Sequence, residues 1–407
     1  MPYIKYIQGA ILITLVILLS ISPLTAGTSS KYHISCSPAE KPLNLPYNFS
    51  DFGTRCSTNA DYRGGYHPSV IFIPDGWGPV AGQTIDYGVI HDTVAANSPR
   101  WAYWMAYSAD DSCRGGGEET YIAASDGGDK WVIPYFVCTG GSTHDSVFFP
   151  GNRYTGSADV ESVYPNDSLG GRSTDPDLIF DTDNRLRLYW RAIHPALFSD
   201  DTVVIWTMAS ENGVVWRNKG SLDDMAVPAY SRVEKRCQHL MSPSVVGDSA
   251  GAYLMYVVDD CDDDKETPWA VLRYKSDYPD RGWYLLDTCT WDIDGIAHKL
   301  SDDSIGVWHL DINRCGGDYH AFVCVNSLHK GFKFDSQGLY FAVSHDGRVF
   351  DICPKRVLGR CPGWMSGFIY RASAIARSQG PTIEYDIFYS AFGRGRFKIG
   401  RTSIEIR

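Results

Sequence analysis

No stretch of the 407-residue chain is strongly basic, and 48 acidic against 37 basic side chains leave a formal charge of -11. Without a cationic patch nothing tracks a phosphate backbone, so nucleic acid is excluded as a partner. None of the 11 cysteines stands in a Cys-x-x-Cys pair, which removes the zinc-ribbon and thioredoxin-like classes. No 3.6-residue apolar period is sustained after residue 26, so helices have no part in the expected fold. Beyond that point no apolar run reaches the ~20 residues that span a bilayer.

The one early apolar run, Ala10 to Ile21, follows Lys5 and precedes Leu24-Thr25-Ala26, a small-residue cleavage site. It fits a signal peptide over residues 1–26, the alternative being an uncleaved anchor. Secretion is the expected destination, with no membrane association after cleavage. Cysteines in an oxidising compartment are expected in disulfides. Cys315/Cys324 and Cys353/Cys361 are close enough in sequence for local bridges; Cys36/Cys56, Cys113/Cys138 and Cys237/Cys261 are the natural further pairs, leaving Cys289. Asn48-Phe49-Ser50 and Asn166-Asp167-Ser168 match the glycosylation acceptor pattern.

What the sequence does have is a repeated strand opening. Asp175-Pro176-Asp177 leads into Leu178-Ile179-Phe180, a turn feeding a buried strand. The same opening recurs as His67-Pro-Ser-Val, Ser242-Pro-Ser-Val, His309-Leu-Asp-Ile and Arg371-Ala-Ser-Ala, with first residues 108, 67, 67 and 62 positions apart along the chain. A second mark, Ser-x-x-Gly-x-x-Trp/Phe, appears at Ser125, Ser210 and Ser344, and in stretched form from Ser276 to Trp283. In units two to four it lies 35, 34 and 35 residues after the opener; in unit one it lies 58 after, so that unit carries an insertion. Asn212 or Asp346 can bond its own backbone at this turn while Gly takes the left-handed position. Short alternating aromatic strands between these marks give an all-β chain: a five-bladed β-propeller of four-stranded antiparallel blades over residues 61–407. Residues 27–60 form an extended lead-in, and the part around His33 to Leu45 is a candidate edge strand to seal the ring.

His67-Pro-Ser-Val, Tyr103-Trp104-Met105-Ala106-Tyr107, Asp175-Pro-Asp-Leu-Ile-Phe-Asp, Ser242-Pro-Ser-Val-Val, Trp308-His309-Leu-Asp-Ile and Tyr370-Arg371-Ala-Ser, in this order, resemble the five-bladed propellers related to glycoside hydrolase family 43 and the wider family 32/43/68 type. The resemblance implies a glycan site in the funnel where the openers converge, worked by a general base on blade one, a pKa modulator on blade two and a glutamic acid on blade three. Asp175 stands at the second of these positions; His67 and Ser242 occupy the other two.

The residues themselves define an axis lined by His67, Asp175, Ser242, His309 and Arg371, with Asp177 and Asp311 two places along. These form either an ion network filling the channel or a set of donors and acceptors for sugar hydroxyls, with Trp104, Trp308 or Tyr370 stacking on a sugar face. Hydrolysis needs an acid and a base about 5–9.5 Å apart; Asp175 and Asp311 are the leading pair, and Glu118 is a candidate acid at the mouth. The expected function is a secreted, glycoside hydrolase-like protein that binds and hydrolyses a carbohydrate, the alternative being a non-catalytic, lectin-like or structural propeller. No cofactor motif is present and no metal ligands are assigned at the axis; the acidic run from Asp259 to Asp264 offers oxygens to a calcium ion but lacks the Gly and Glu of an EF-hand, and reads as a solvated loop.

Overall fold

The computed structural model describes residues 32–39, 41–46, 65–86, 91–111, 117–144, 172–193, 203–216, 240–248, 251–259, 269–293, 305–327, 337–378, 380–394 and 396–407. Residues 1–26, the expected signal peptide, both stretches that match the acceptor pattern, and Asp260 to Asp264 lie outside these. Every element among the described residues is a strand. In chain order they are β1 (Ile34–Cys36), β2 (Gly65–Trp77), β3 (Thr84–Asp86), β4 (His91–Thr93), β5 (Trp101–Asp111), β6 (Gly117–Ser125), β7 (Phe136–Val137), β8 (Thr143–His144), β9 (Arg172–Phe180), β10 (Leu186–Ile193), β11 (Val203–Ser210) and β12 (Leu240–Gly247). There follow β13 (Tyr253–Asp259), β14 (Ala270–Ser276), β15 (Tyr284–Thr288), β16 (Thr290–Asp292), β17 (Ile305–Cys315), β18 (Asp318–Ser327), β19 (Leu339–Ser344), β20 (Val349–Ile352), β21 (Phe368–Ala376), β22 (Ile383–Gly393) and β23 (Arg396–Ile406).

Five antiparallel sheets form the blades of a propeller: β2-β5-β6, β9-β10-β11, β12-β13-β14-β15, β17-β18-β19-β20 and β21-β22-β23-β1. Each innermost strand adjoins the innermost strands before and after it, β2 meeting both β9 and β21. Blade four gains an outer strand, because β16 leaves the edge of blade three and pairs parallel with β20. Blade five takes its outer strand from the start of the described chain: Ile34, Ser35 and Cys36 pair antiparallel with Ile406, Glu405 and Ile404. Pairing this edge removes an exposed row of N–H and C=O groups.

Each interface between neighbouring blades holds its own apolar core. Trp104, Leu178, Leu188 and Trp216 fill the space between blades one and two; Tyr189, Val245, Met255 and Trp283 that between two and three; Tyr256, Val258, Leu310 and Phe350 that between three and four. Phe322, Phe341, Ile387 and Tyr389 join four to five, and Val70, Tyr103, Trp131 and Phe388 join five to one. The repeated turn supplies the aromatic. Gly128 and Gly213 donate their N–H to Ser125 and Ser210 Oγ at 2.9 and 2.8 Å, and Trp131 and Trp216 return an indole N–H to the carbonyl of the same glycine. Gly213 has φ +79, and a Cβ there would lie 2.0 Å from the Trp104 ring, so only glycine lets the ring close onto the turn.

A ring of hydrogen bonds stitches the innermost strands together. Two places after each opener, a short polar side chain accepts a backbone N–H from the next blade. Leu178 donates to Ser69 Oγ at 2.8 Å, Val245 to Asp177 Oδ2 at 2.7 Å and Ile312 to Ser244 Oγ at 2.9 Å. Ala374 donates to Asp311 Oδ2 at 2.9 Å, and Val70 closes the circle onto Ser373 Oγ at 2.9 Å. The repeated small polar residue in the openers is explained by this link: a Ser or Asp oxygen meets the neighbouring N–H at 2.7–2.9 Å.

The expected local disulfides do not form. Cys315 faces Asp318 at the tip of the β17–β18 hairpin, whereas Cys324 faces His309 six residues further along β18. At ~3.3 Å per residue that places them roughly 20 Å apart, far beyond bridging distance. Cys353 and Cys361 are likewise not joined to each other. Each of the other expected pairs includes a cysteine outside the described residues.

Candidate functional site

Every innermost strand carries one extra residue at its opener. The register slips between Tyr66 and Ser69, Thr174 and Asp177, Met241 and Ser244, Val307 and His309, and Ile369 and Arg371. Such bulges bend the strand and re-aim side chains. In blades one to three the opener precedes proline and takes φ near +50°: 50 at His67, 51 at Asp175 and 49 at Ser242. Left-handed backbone at a non-glycine residue costs about 1–3 kcal/mol and persists where its surroundings over-determine it.

The five openers converge in a buried cluster centred on Asp175. Its Oδ1 lies 3.2 Å from His67 Nδ1, 3.5 Å from an Arg371 guanidinium nitrogen and 3.8 Å from His309 Nδ1; its Oδ2 lies 3.7 Å from Arg191. Ser242 Oγ hydrogen-bonds His309 Nδ1. His67 Nδ1 lies 3.3 Å from Ser108 Oγ and 3.1 Å from Thr174 Oγ1, and Arg371 donates to the Pro243 carbonyl at 3.1 Å. Burial, reinforced by the Arg371 and Arg191 charges, drives the His67 imidazole pKa well below its usual value. Burial does the same to His309, with Asp175 opposing and His67 and both arginines assisting. Both rings are therefore neutral near pH 7, the form that ligates metals.

One donor atom from each of His67, Asp175 and His309 lies within 4.8 Å of the others. His67 Nε2, His309 Nε2 and both Asp175 carboxylate oxygens are buried without a hydrogen-bond partner. Buried polar atoms in that state point to a water or an ion, and two imidazoles with one carboxylate suit a transition-series divalent cation. The trio fits such an ion.

Aromatics of blades one, four and five wall the cluster. Tyr370, the bulge residue of β21, stacks on His67 with ring centroids 4.9 Å apart and 21° between planes. Phe397 lies 5.0 Å from Tyr370 and 4.9 Å from Tyr66. Trp308, the bulge residue of β17, stands 5.4 Å from His309 and 4.6 Å from Trp269.

Not every residue expected at the site is part of this cluster. His67, Asp175, Ser242, His309 and Arg371 are, and Tyr370 and Trp308 border it. Trp104 is fully buried in the core between blades one and two. It lies on β5, a second strand, where alternation sends the ring into the interblade space. Glu118 faces Asp110 near the start of β6. Asp177 and Asp311 belong to the stitching ring and line, with Ser69, Ser244 and Ser373, a separate cavity of 240 Å³ further along the inner strands. Burial and the neighbouring Asp311 push the Asp177 carboxyl up to about 7, and burial pushes Asp311 up to about 6. Arg191, Thr174, Ser108, Tyr66 and Phe397 are additions that the opener pattern does not include. Arg191 was reachable only through hairpin register, since it faces Thr174 across β9 and β10.

No protein-family model matches the chain, and no curated protein matches it. Solved structures do. The crystal structure of an N-acetylgalactosamine deacetylase from F. plautii, in complex with blood group B trisaccharide, has a TM-score of 0.60 at 14% identity, covering 91% of this chain and 95% of that one. A family 117 glycoside hydrolase of the marine bacterium Zobellia galactanivorans gives 0.47 at 10% identity over 92% and 90% of the two chains. A thermostable family-43 glycoside hydrolase gives 0.43 at 11% over 86% and 92%. The first likeness is one of fold: this chain is a five-bladed propeller of the architecture found in that carbohydrate-active enzyme.

Proposed function

We propose that the propeller is a secreted glycan-active hydrolase whose axial trio, His67, Asp175 and His309, holds a divalent cation, and that the bond it cleaves joins an acyl group to a sugar. The carrying observation is the trio itself, three buried donors from three blades with orphaned atoms. A paired-carboxylate glycosidase mechanism has less support. Among the described residues Asp175 is the one carboxylate in the cluster, and Asp311, its expected partner, already accepts the Ala374 N–H and an Asn313 amide N–H at 2.9 Å each. The F. plautii deacetylase lends the acyl–sugar bond as the class of target, through a shared fold.

When bound, a divalent cation supplies Lewis acidity toward a carbonyl and lowers the pKa of water. The chain's own residues do the rest. Asp175 contributes the negative charge that offsets the cation. Arg371 and Arg191 flank that carboxylate at 3.5 and 3.7 Å, and burial together with their charges keeps the imidazoles unprotonated. Ser242 and the Ser108–Thr174 pair fix the rings of His309 and His67 by hydrogen bonding at Nδ1. Tyr370, Phe397 and Trp308 offer apolar faces on which a pyranose ring stacks.

The test uses purified protein stripped with a chelator and reloaded with zinc, manganese or nickel. Acetate release from N-acetylated amino sugars and their oligosaccharides is measured beside turnover of aryl glycosides. The expected result is metal-dependent acetate release, lost in His67→Gln and His309→Gln variants that keep the wild-type circular dichroism. Aryl glycoside turnover that persists in chelator would sink the reading. Glycan binding without turnover under any metal would instead leave a lectin-like propeller.

A further inference from the structure

The insertion of blade one carries a second donor cluster. Strands β3 and β4 form a hairpin, β7 and β8 another, and the two join: Val94 bridges Cys138, Ala95 donates to the Val137 carbonyl at 2.7 Å and Thr139 to that of Thr93 at 2.9 Å. Asp92 precedes Val94 by two residues on β4, and His144 pairs with Phe136, two residues before Cys138. The period-two alternation of strands therefore brings Asp92, Cys138 and His144 to one face. Their donor atoms lie within 4.8 Å of one another. His144 Nε2 is 2.7 Å from Asp92 Oδ2, and the Cys138 thiol hydrogen-bonds the same carboxylate. Phe136 stacks on the His144 ring at 5.0 Å.

We infer that Asp92, Cys138 and His144 form a zinc-class metal site, distinct from the axis, that fastens the two short hairpins of the blade-one insertion to each other. Thiolate, imidazole and carboxylate together select a borderline-soft ion over calcium or magnesium. The insertion also has reason to use one. Its strands are two or three residues long, and its buried apolar set is Ile85, Val94, Phe136 and Cys138 against Val214 and Val215 of blade two. A core this small supplies little stability alone, and small units commonly add a metal. Binding moves the thiol proton to solvent and the imidazole N–H to its other nitrogen, leaving one lone pair per ligand facing the ion.

Cobalt(II) chloride reports this site separately from the axial trio, because the axial trio has no sulfur. Titrated into the purified chain, cobalt should produce a near-ultraviolet thiolate-to-cobalt charge-transfer band, retained in His309→Gln and abolished in Cys138→Ala. His144→Ala should weaken cobalt by more than the roughly 10–100-fold that loss of an outer-shell partner costs. Zinc should raise the melting temperature of wild type and not that of Cys138→Ala. A missing band in wild type, or a band that survives Cys138→Ala, would overturn the site; a Cys138 held in a disulfide gives the first of these results. Should Cys138→Ala not fold, Asp92→Asn and His144→Gln carry the same comparison.

Discussion

The Val70 N–H donates to Ser373 Oγ at 2.9 Å, across 303 positions of sequence, and this bond closes the ring of blades. Ser373→Ala leaves that N–H buried without an acceptor. An orphaned buried donor costs about 1–3 kcal/mol, so the urea midpoint should fall accordingly. Ser378→Ala, outside the ring, should move it far less.

Trp104 and Gly213 set a sharper steric test. Gly213→Ala places a methyl 2.0 Å from the indole as well as at φ +79, whereas Gly82→Ala at φ +80 meets nothing within 4 Å. The second should lose only the left-handed backbone penalty, about 1–2 kcal/mol. The first should lose several times that, or not accumulate as folded protein. Thermal melts of the two variants, side by side, separate strain from collision.

Asp175 is the shared counter-charge of Arg371 and Arg191, at 3.5 and 3.7 Å. Asp175→Asn strands both guanidiniums. Breaking a buried pair from one side costs about 3–5 kcal/mol. The double variant Asp175→Asn/Arg371→Met should recover part of this, which chemical denaturation will show; no recovery would mean that Arg191 carries the whole interaction.

The Asp177 carboxyl titrates near 7 in the folded chain against 3.8 for an unperturbed aspartate. The folded state thus holds this proton more tightly than the unfolded one. The stability it contributes is complete below 3.8 and is lost as pH rises through about 7. Relative to wild type, Asp177→Asn should gain stability across that rise in urea titrations at successive pH values. A constant difference would contradict the protonated carboxyl. His67 and His309 act in the opposite sense: with pKa values held well below 6.5, their contribution is present above that pH and lost on acidification.

Tyr370 should act through its ring alone in the proposed glycan site. Tyr370→Phe should bind oligosaccharide as wild type does, and Tyr370→Ala should bind about five-fold more weakly, near the ~1 kcal/mol of one aromatic contact. Calorimetric titration distinguishes the two.

The fold was legible because its repeats are local. Proline after His67, Asp175 and Ser242, and Ser-x-x-Gly before Trp131 and Trp216, mark strand starts and turns within a few residues. The site was legible only in part. Simple alternation puts Asp177 and Asp311 beside their openers, but in blade two the extra residue interrupts that alternation, and both carboxylates are taken up by blade stitching. The axial donors stand 108 and 134 residues apart in sequence, so no ligand spacing exists to be read. Asp92, Cys138 and His144 are hidden likewise, brought together by two hairpins on either side of the Ser125 turn, which the spacing of the openers registers as extra length alone. Cys315 and Cys324 mislead for the converse reason: closeness in sequence along a long hairpin arm is distance in space.

The β1–β23 pairing has a mechanical corollary. Ile34 faces Ile406 and Cys36 faces Ile404, so tension on the outer ends of these two strands pulls them apart from one extremity. Such a load falls on one backbone bond at a time instead of shearing all of them together. Blade five would peel open under modest pulling force, even though the same strand pair caps its edge against solvent.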